Sequence, residues 1–99
     1  MSGQIGSDER ANELRDSITA IDRQLVALVN QRLGLVREMR DHKRAKGYPL
    51  VDPGREEWLL AHLCETNKGP LSDEGVRALA ERVIELGKTE VYGLDADDD

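Results

Sequence analysis

The feature that most constrains the fold is a long segment, from about Asp8 to Lys46, that contains no proline and a single glycine, Gly34. Apolar residues recur along it with the heptad-like spacing of a packed helix, namely Leu14, Ile18, Ile21, Leu25, Leu28, Leu35 and Met39. A helix over the whole segment would be roughly 60 Å long. The run Gly47-Tyr48-Pro49 predicts where it ends.

Two shorter helices are predicted after this segment. Asp52 suits an N-cap and Pro53 suits the first helical position, so a second helix begins there and ends near Asn67. Ser72 caps a third helix that continues to about Tyr92. Trp58 is expected in the core. Because no strand pattern and no internal repeat occur, the sequence predicts an all-α fold with three helices per chain.

The two short helices are expected to cover only part of the long one. Apolar surface would remain on the first helix, and a second copy of the chain is its simplest cover. We therefore expect an antiparallel homodimer with the long helices side by side and a two-fold axis near Leu25 to Leu28. The alternative is an elongated monomer whose first helix is frayed.

Charge and length limit the domain organisation and the partners. The chain of 99 residues has 20 Asp and Glu against 14 Lys and Arg, a formal net charge of −6. We expect one helical domain over residues 8–92, between a disordered N-terminus at residues 1–7 and an acidic disordered tail at residues 93–99. An acidic chain without a basic, aromatic-interleaved face is a poor candidate for binding nucleic acid.

Membrane, disulfide and metal chemistry are not predicted. No apolar run approaches the ~20 residues that span a bilayer. The single cysteine, Cys64, cannot form an intramolecular disulfide and fits a reducing compartment, so we expect a cytoplasmic protein. His42 and His62 lack metal-ligand spacing with Cys64 or with a carboxylate cluster.

Arg32 occupies a position where the helical pattern calls for an apolar residue. The stripe on which it lies comprises Arg15, Ile18, Asp22, Leu25, Val29, Arg32, Val36, Met39 and Lys43. A charge buried on such a stripe is costly unless an opposite charge meets it. Because three cations on the stripe face only Asp22, we infer that a ligand supplies the missing anion.

The spacing of these cations suggests a pocket shared between two subunits. Arg32 and Lys43 would lie on one helical face about 16 Å apart, within reach of one small molecule. Arg15 lies roughly 25 Å from Arg32 and cannot reach the same ligand from its own helix. In the antiparallel dimer, however, Arg15 of the partner subunit would lie opposite about residue 37.

The second helix would complete this pocket. Its first turn can add Arg55 and Glu56, together with free backbone N–H groups that favour an anion. Three arginines and a lysine suit a ligand with two carboxylates. The alternative is that the cations form ordinary surface ion pairs with acidic neighbours, which are Asp22, Glu38, Asp52 and Glu57.

These residues together resemble a known family. The matching elements are Leu14-Arg15, Ile18-x-x-Ile21-Asp22-x-x-Leu25, Arg32, Lys43 and Asp52-Pro53-x-Arg55-Glu56. At these spacings, over about residues 12 to 90, the chain resembles the all-helical chorismate mutases, the AroQ class. The resemblance implies the entwined homodimer of the chorismate mutase II fold. It also implies an isomerase of the shikimate pathway that converts chorismate to prephenate for aromatic amino acid biosynthesis, with no metal and no cofactor.

The resemblance also implies roles for individual residues. Arg15 of the partner subunit and Arg32 would bind the two carboxylates of chorismate, with Arg55 assisting. Lys43 would donate to the ether oxygen of the breaking C–O bond. Glu56 and the backbone at Asp52 would hold the ring hydroxyl.

The end of the third helix departs from the family pattern. The family has a Gln or Glu there as a second donor to the ether oxygen, and a Ser that often contacts a carboxylate. Gapless counting puts Val91 and Gly87 at these two places, with Glu90 one residue before Val91. Either Val91 is the true equivalent and Lys43 acts alone, or a shift of one residue brings Glu90 into the site.

Three alternatives to a chorismate mutase remain. The chain could act on a related substrate, as a mutase of 4-amino-4-deoxychorismate or a lyase of isochorismate. It could be a weakly active regulatory module that docks on another shikimate-pathway enzyme, which the apolar Val91 and the bare Gly87 favour. It could also be a dimeric coiled-coil adaptor without a ligand, in which case replacing Arg32 would alter no small-molecule binding.

Overall fold

A computed structural model of the chain describes residues 8–94, in which three α-helices are present and no strand. They are α1 (Glu9–Lys46), α2 (Pro53–Thr66) and α3 (Asp73–Glu90). The predicted all-α class, with a very long first helix, is confirmed. None of these helices combines the length and apolarity that crossing a bilayer requires. The predicted N-terminal segment 1–7 and most of the predicted acidic tail, residues 95–99, lie outside the described residues.

Local side-chain and backbone contacts explain where α1 begins and ends. At its start, the Asp8 carboxylate accepts a hydrogen bond from the Ala11 amide at 3.0 Å, which satisfies one of the free N–H groups of the first turn. At its end, Gly47 has a φ of 73°, a left-handed conformation that glycine adopts without steric cost. This turn lets the Tyr48 amide donate to the Lys43 carbonyl at 2.9 Å. The sequence therefore predicts both ends of α1 correctly.

The two shorter helices are capped as the sequence predicts. The Asp52 carboxylate accepts from the Arg55 amide at 3.1 Å and begins α2. The Ser72 hydroxyl accepts from the Gly75 amide at 3.0 Å and begins α3. Between these helices, the Asn67 amide group donates to the Leu71 carbonyl at 2.6 Å. These local contacts stabilise the starts of α2 and α3 and the connection between them.

The chain divides into two compact units, Met1–Arg32 and Leu33–Asp99. The second unit contains the packed pair α2 and α3. Its buried apolar residues in the described part of the chain are Leu60, Val76, Ala80 and Val91. Because these side chains are few and mostly small, the core of a single chain contributes a modest hydrophobic free energy.

The apolar face of α1 is uncovered in the single chain. No residue of α1 is buried within residues 8–94. In the first unit, Ile18 and Ile21 each keep 58% of their surface exposed and Leu28 keeps 62%. In the second unit, Leu35 and Met39 are similarly exposed. A heptad-spaced stripe of this kind is typical of a helix that packs against a partner.

Trp58 lies elsewhere than the sequence predicts. Its side chain is 50% exposed, so the expected core position is wrong for this chain. The buried residue of α2 is Leu60. The Trp58 ring instead stacks on the His62 ring with 4.6 Å between centroids. The Arg55 guanidinium lies 4.5 Å from the centre of the indole, a cation–π contact.

Replacing the cap of α3 is expected to lower stability without changing the fold. Ser72→Ala removes the acceptor for the Gly75 amide, and we expect the free energy of unfolding to fall by about 1 kcal/mol. Urea unfolding followed by circular dichroism measures this change. Ser72→Asp is the matched control, because aspartate also caps, and it should stay close to the parent. Equal losses in both variants would contradict the assigned role of the hydroxyl.

Candidate active site

The first unit contributes two of the predicted site residues, Arg15 and Arg32, which both lie on α1. Arg15 is half-buried, and its Nη1 atom is fully buried without a hydrogen-bond partner among the described residues. A buried donor of this kind is costly when unsatisfied, so it favours an incoming acceptor. Arg32 is also half-buried rather than exposed, which agrees with its predicted position on the packed stripe.

Lys43 is held in the second unit by the turn that ends α1. Its ammonium donates to the Leu50 carbonyl at 2.9 Å and lies 5.9 Å from the centre of the Tyr92 ring. Both partners are uncharged. The positive charge of Lys43 is therefore positioned by these contacts but is not neutralised by them, as electrostatic stabilisation of an anionic ligand requires.

Glu56 is paired with a residue that the sequence analysis did not select, Lys88. The Lys88 ammonium donates to Glu56 Oε1 at 3.2 Å. Their side chains are 28% and 29% exposed, so the pair is partly shielded from water. It joins the first turn of α2 to the last turn of α3. Two consecutive helices joined by a short connection bring these turns near each other, a signal that points to the last turn of α3 without selecting Lys88 within it.

Asp52 and Arg55 lie at the start of α2, as predicted. The Asp52 carboxylate is occupied by the cap on the Arg55 amide. The Arg55 guanidinium is exposed over the Trp58 ring. The stacking leaves the charge of Arg55 intact, and the long side chain can leave this position for a carboxylate within its reach.

The end of α3 and its C-cap hold the two positions where the chain departs from the family pattern, Gly87 and Val91, and the neighbouring Glu90. Gly87 is buried, and its carbonyl accepts from the amides of Val91 and Tyr92 at 3.1 and 3.2 Å. Glu90, the last helical residue, is exposed. Val91 is buried, and its carbonyl accepts from Arg40 Nη1 at 2.9 Å. In the single chain, Val91 is therefore part of the packed core and Glu90 faces water.

Two contacts of the second unit join Lys43 with Tyr92 and Glu56 with Lys88, and we call these four residues the terminal cluster. The cluster offers an ammonium with uncharged partners, a carboxylate paired with a second ammonium, and a phenol ring. Such groups bind oxygen atoms of a polar anionic molecule. Among residues 8–94, no group of three or more His, Cys, Asp or Glu side chains is arranged to hold a metal ion.

The chain matches a known family over most of its length. Residues 14–90 match the family described as chorismate mutase type II. Two structures of chorismate mutase from Thermus thermophilus are similar to it. Form I has 34% identity and a TM-score of 0.78 over 80% of this chain and 99% of that one. Form II has 32% identity and a TM-score of 0.82 over 88% and 99%.

Two curated relatives are longer proteins. The bifunctional chorismate mutase/prephenate dehydratase of Pseudomonas aeruginosa is 30% identical over 88 residues, which cover 81% of this chain and 23% of that protein. The enzyme of the same name from Stutzerimonas stutzeri is 29% identical over 82 residues, which cover 77% and 22%. The chain therefore spans less than a quarter of the length of these relatives.

The contact of Arg40 with Val91 is expected to fix the end of α3. Arg40→Met keeps most of the side-chain stem but removes the donor to the Val91 carbonyl, so we expect about 1 kcal/mol less free energy of unfolding. The backbone amides near Val91 should also exchange hydrogen faster. Urea unfolding and hydrogen exchange by mass spectrometry measure the two effects. The matched control is Arg44→Met, at an exposed position of α1; the same losses there would contradict the prediction.

Proposed function

Because the chain belongs to the type II chorismate mutase family, we propose that it rearranges chorismate to prephenate. The observation that carries the proposal is the extent of the family match, which covers the candidate site residues from Arg15 to Glu90. The similarity to the chorismate mutase structures from Thermus thermophilus, each covered over 99% of its length, supports it further.

The proposed reaction is a rearrangement within a single substrate molecule. An ether C–O bond of chorismate breaks and a C–C bond forms within the same molecule, in one cyclic movement of electrons. No nucleophile, proton relay, metal or cofactor is required. The protein accelerates the step by holding the substrate in its compact reactive conformer and by stabilising the negative charge that develops on the ether oxygen.

Lys43 is the proposed donor to the ether oxygen. Its contacts with the Leu50 carbonyl and the Tyr92 ring orient the ammonium but carry no negative charge to neutralise it. An ammonium has three protons, so it can keep the contact with Leu50 and still donate to the substrate. The charge is therefore in place before the ether oxygen becomes negative, which is the condition for electrostatic catalysis.

The two carboxylates of chorismate are assigned to arginines. Arg32 binds one and Arg15 of the partner subunit binds the other, with Arg55 assisting, because the guanidinium group pairs with a carboxylate in a bidentate fork. The buried and unpartnered Nη1 atom of Arg15 supports this role. Glu56 and the backbone at Asp52 hold the ring hydroxyl, for which the carboxylate is the acceptor.

The proposal includes a homodimer with shared active sites. The exposed apolar face of α1, which includes Ile18, Ile21 and Leu28, supports it, because such a stripe is expected to be covered by another helix. An antiparallel second copy supplies both the cover and Arg15. The cellular setting is part of the same proposal: biosynthesis of aromatic amino acids by the shikimate pathway, in the cytoplasm.

One observation favours a second candidate, a mutase module with low activity of its own. Val91 is buried in the core and Glu90 is exposed, so Lys43 would act on the ether oxygen without a second donor from either of these two residues. Such a module would gain activity by docking on another enzyme of the pathway. Stimulation of the mutase rate by a partner enzyme would favour this candidate.

The purified chain is expected to convert chorismate to prephenate without added metal or cofactor. Lys43→Met should lower kcat by roughly a hundredfold or more, because it removes the donor to the developing negative charge. Loss of chorismate absorbance measures the rate. Lys46→Met is the matched control, since Lys46 is exposed three residues later on α1, and it should retain nearly full activity. The function would be refuted by an unmodified chain that is folded and inactive towards chorismate.

Two inactive variants are expected to restore activity when they are mixed. Arg15→Ala and Arg32→Ala each remove one half of every shared site, but one site of a mixed dimer regains both arginines. After unfolding and joint refolding of equal amounts, we expect about a quarter of the parental rate, because half of the dimers are mixed and each contains one intact site. Native mass spectrometry of the mixture verifies the exchange of subunits. Mixed dimers without activity would contradict a site shared between subunits.

A further inference from the structure

The pair formed by Lys88 and Glu56 is not explained by the proposed chemistry. Lys88 lies in the last turn of α3, and its ammonium is 3.2 Å from the carboxylate in the first turn of α2. Less than a third of either side chain is exposed to water, so screening weakens this pair less than it weakens a surface ion pair. The Lys88 ammonium would therefore act on any ligand group that Glu56 binds.

Lys88 changes the net charge that a ligand meets at Glu56, while Glu56 keeps the capacity to accept a hydrogen bond. One carboxylate oxygen, Oε1, accepts from Lys88, while a carboxylate has acceptor positions for several donors. Glu56 can thus still accept a hydrogen bond from a neutral hydroxyl. Its negative charge, however, is already balanced by the ammonium beside it, so it offers little net attraction to a cation.

Two further cations of the second unit, Lys43 and Arg40, have different partners. Lys43 of the terminal cluster contacts the Leu50 carbonyl and the Tyr92 ring, which are both uncharged. Arg40 binds the Val91 carbonyl, and its charge is paired with the exposed Asp41 at 3.1 Å. A cationic ligand group at Glu56 would meet the Lys88 ammonium, which lies 3.2 Å from the carboxylate.

We propose that Lys88 determines substrate specificity by selecting a ring hydroxyl over a ring amine at Glu56. The inference rests on the proposed function, in which Glu56 holds the ring hydroxyl of chorismate. The competing substrate is 4-amino-4-deoxychorismate, which has an amine at this position. An amine of this type is protonated near neutral pH and is repelled by an ammonium at hydrogen-bonding distance from its acceptor.

Substitutions distinguish the effect of the Lys88 charge from the effect of the contact by which Lys88 joins α3 to α2. Lys88→Gln keeps a hydrogen-bond donor near Glu56 and removes the charge, whereas Lys88→Arg keeps both. A purely structural role would lower the turnover of both substrates by the same factor. A role in specificity changes the ratio of the two kcat/KM values, a quantity that partial unfolding leaves unchanged.

The test compares chorismate and 4-amino-4-deoxychorismate with the unmodified chain and four variants. The unmodified chain should prefer chorismate. Lys88→Gln should move the ratio of kcat/KM towards the amine by at least about tenfold, the size expected of a partly shielded charge. Lys88→Arg should keep the original ratio. Lys68→Gln is the matched control at an exposed lysine between α2 and α3, and it should also keep it.

The fourth variant, which combines Glu56→Gln with Lys88→Gln, assigns the effect to Glu56. Without the carboxylate there is no acceptor charge for the amine, so the gain seen with Lys88→Gln alone should disappear. The proposal is overturned by a ratio that Lys88→Gln leaves unchanged, or by a shift of equal size with Lys68→Gln.

Binding measurements separate the inference from the function on which it rests. Isothermal titration with the same two compounds yields a ratio of dissociation constants for each variant. A chain that binds but turns over neither compound refutes the mutase activity, and the binding ratio then decides the role of Lys88. A chain that binds neither compound overturns both.

Discussion

The exposed apolar face of α1 is the constraint from which the rest of the architecture follows. The helix spans Glu9–Lys46, and none of its residues is buried within the described chain. Hydrophobic burial is the main favourable contribution to folding, and the small core around Leu60, Val76 and Ala80 supplies only part of it. Stability and function are thereby linked, because the second copy proposed to cover α1 would also bring the second arginine.

The polar residues of the candidate site differ in whether their charges are balanced by a neighbour. The Lys43 ammonium binds an uncharged carbonyl, and the Arg15 Nη1 atom has no hydrogen-bond partner among residues 8–94. Such an arrangement reduces the stability of the free protein and favours the bound anion. Glu56 is the exception, since its charge is balanced by Lys88. The candidate site therefore contains a region suited to carboxylates and a region suited to a neutral group.

The features that the sequence predicts correctly are those set by contacts between residues close together in the chain. The starts of the helices depend on side chains within a few residues, as at Asp8, Asp52 and Ser72, and the caps at Asp52 and Ser72 follow from the sequence alone. The family assignment succeeded because several residues at fixed spacings together carry the signal, and the match over residues 14–90 confirms it.

The failures concern contacts between residues distant in sequence. The pairing of Lys88 with Glu56 depends on how α2 packs against α3, and helical periodicity does not contain that information. The core position predicted for Trp58 was wrong because hydrophobicity alone does not determine which face of α2 is covered. The individual roles of Arg15, Arg32 and Arg55 remain predictions, since they depend on a ligand and on a second subunit.

The turn after α1 has a consequence for how the chain tolerates insertions and deletions. Lys43 is bound to this turn twice, through its carbonyl to the Tyr48 amide and through its ammonium to the Leu50 carbonyl. An insertion or deletion between residues 47 and 50 would change the position of the Lys43 ammonium even if all three helices still formed. The connection between α2 and α3 has contacts of its own, such as that of Asn67 with Leu71. None of the contacts described for this connection binds Lys43 or Lys88. Loop length should accordingly vary more freely among functional homologues at the second connection than at the first.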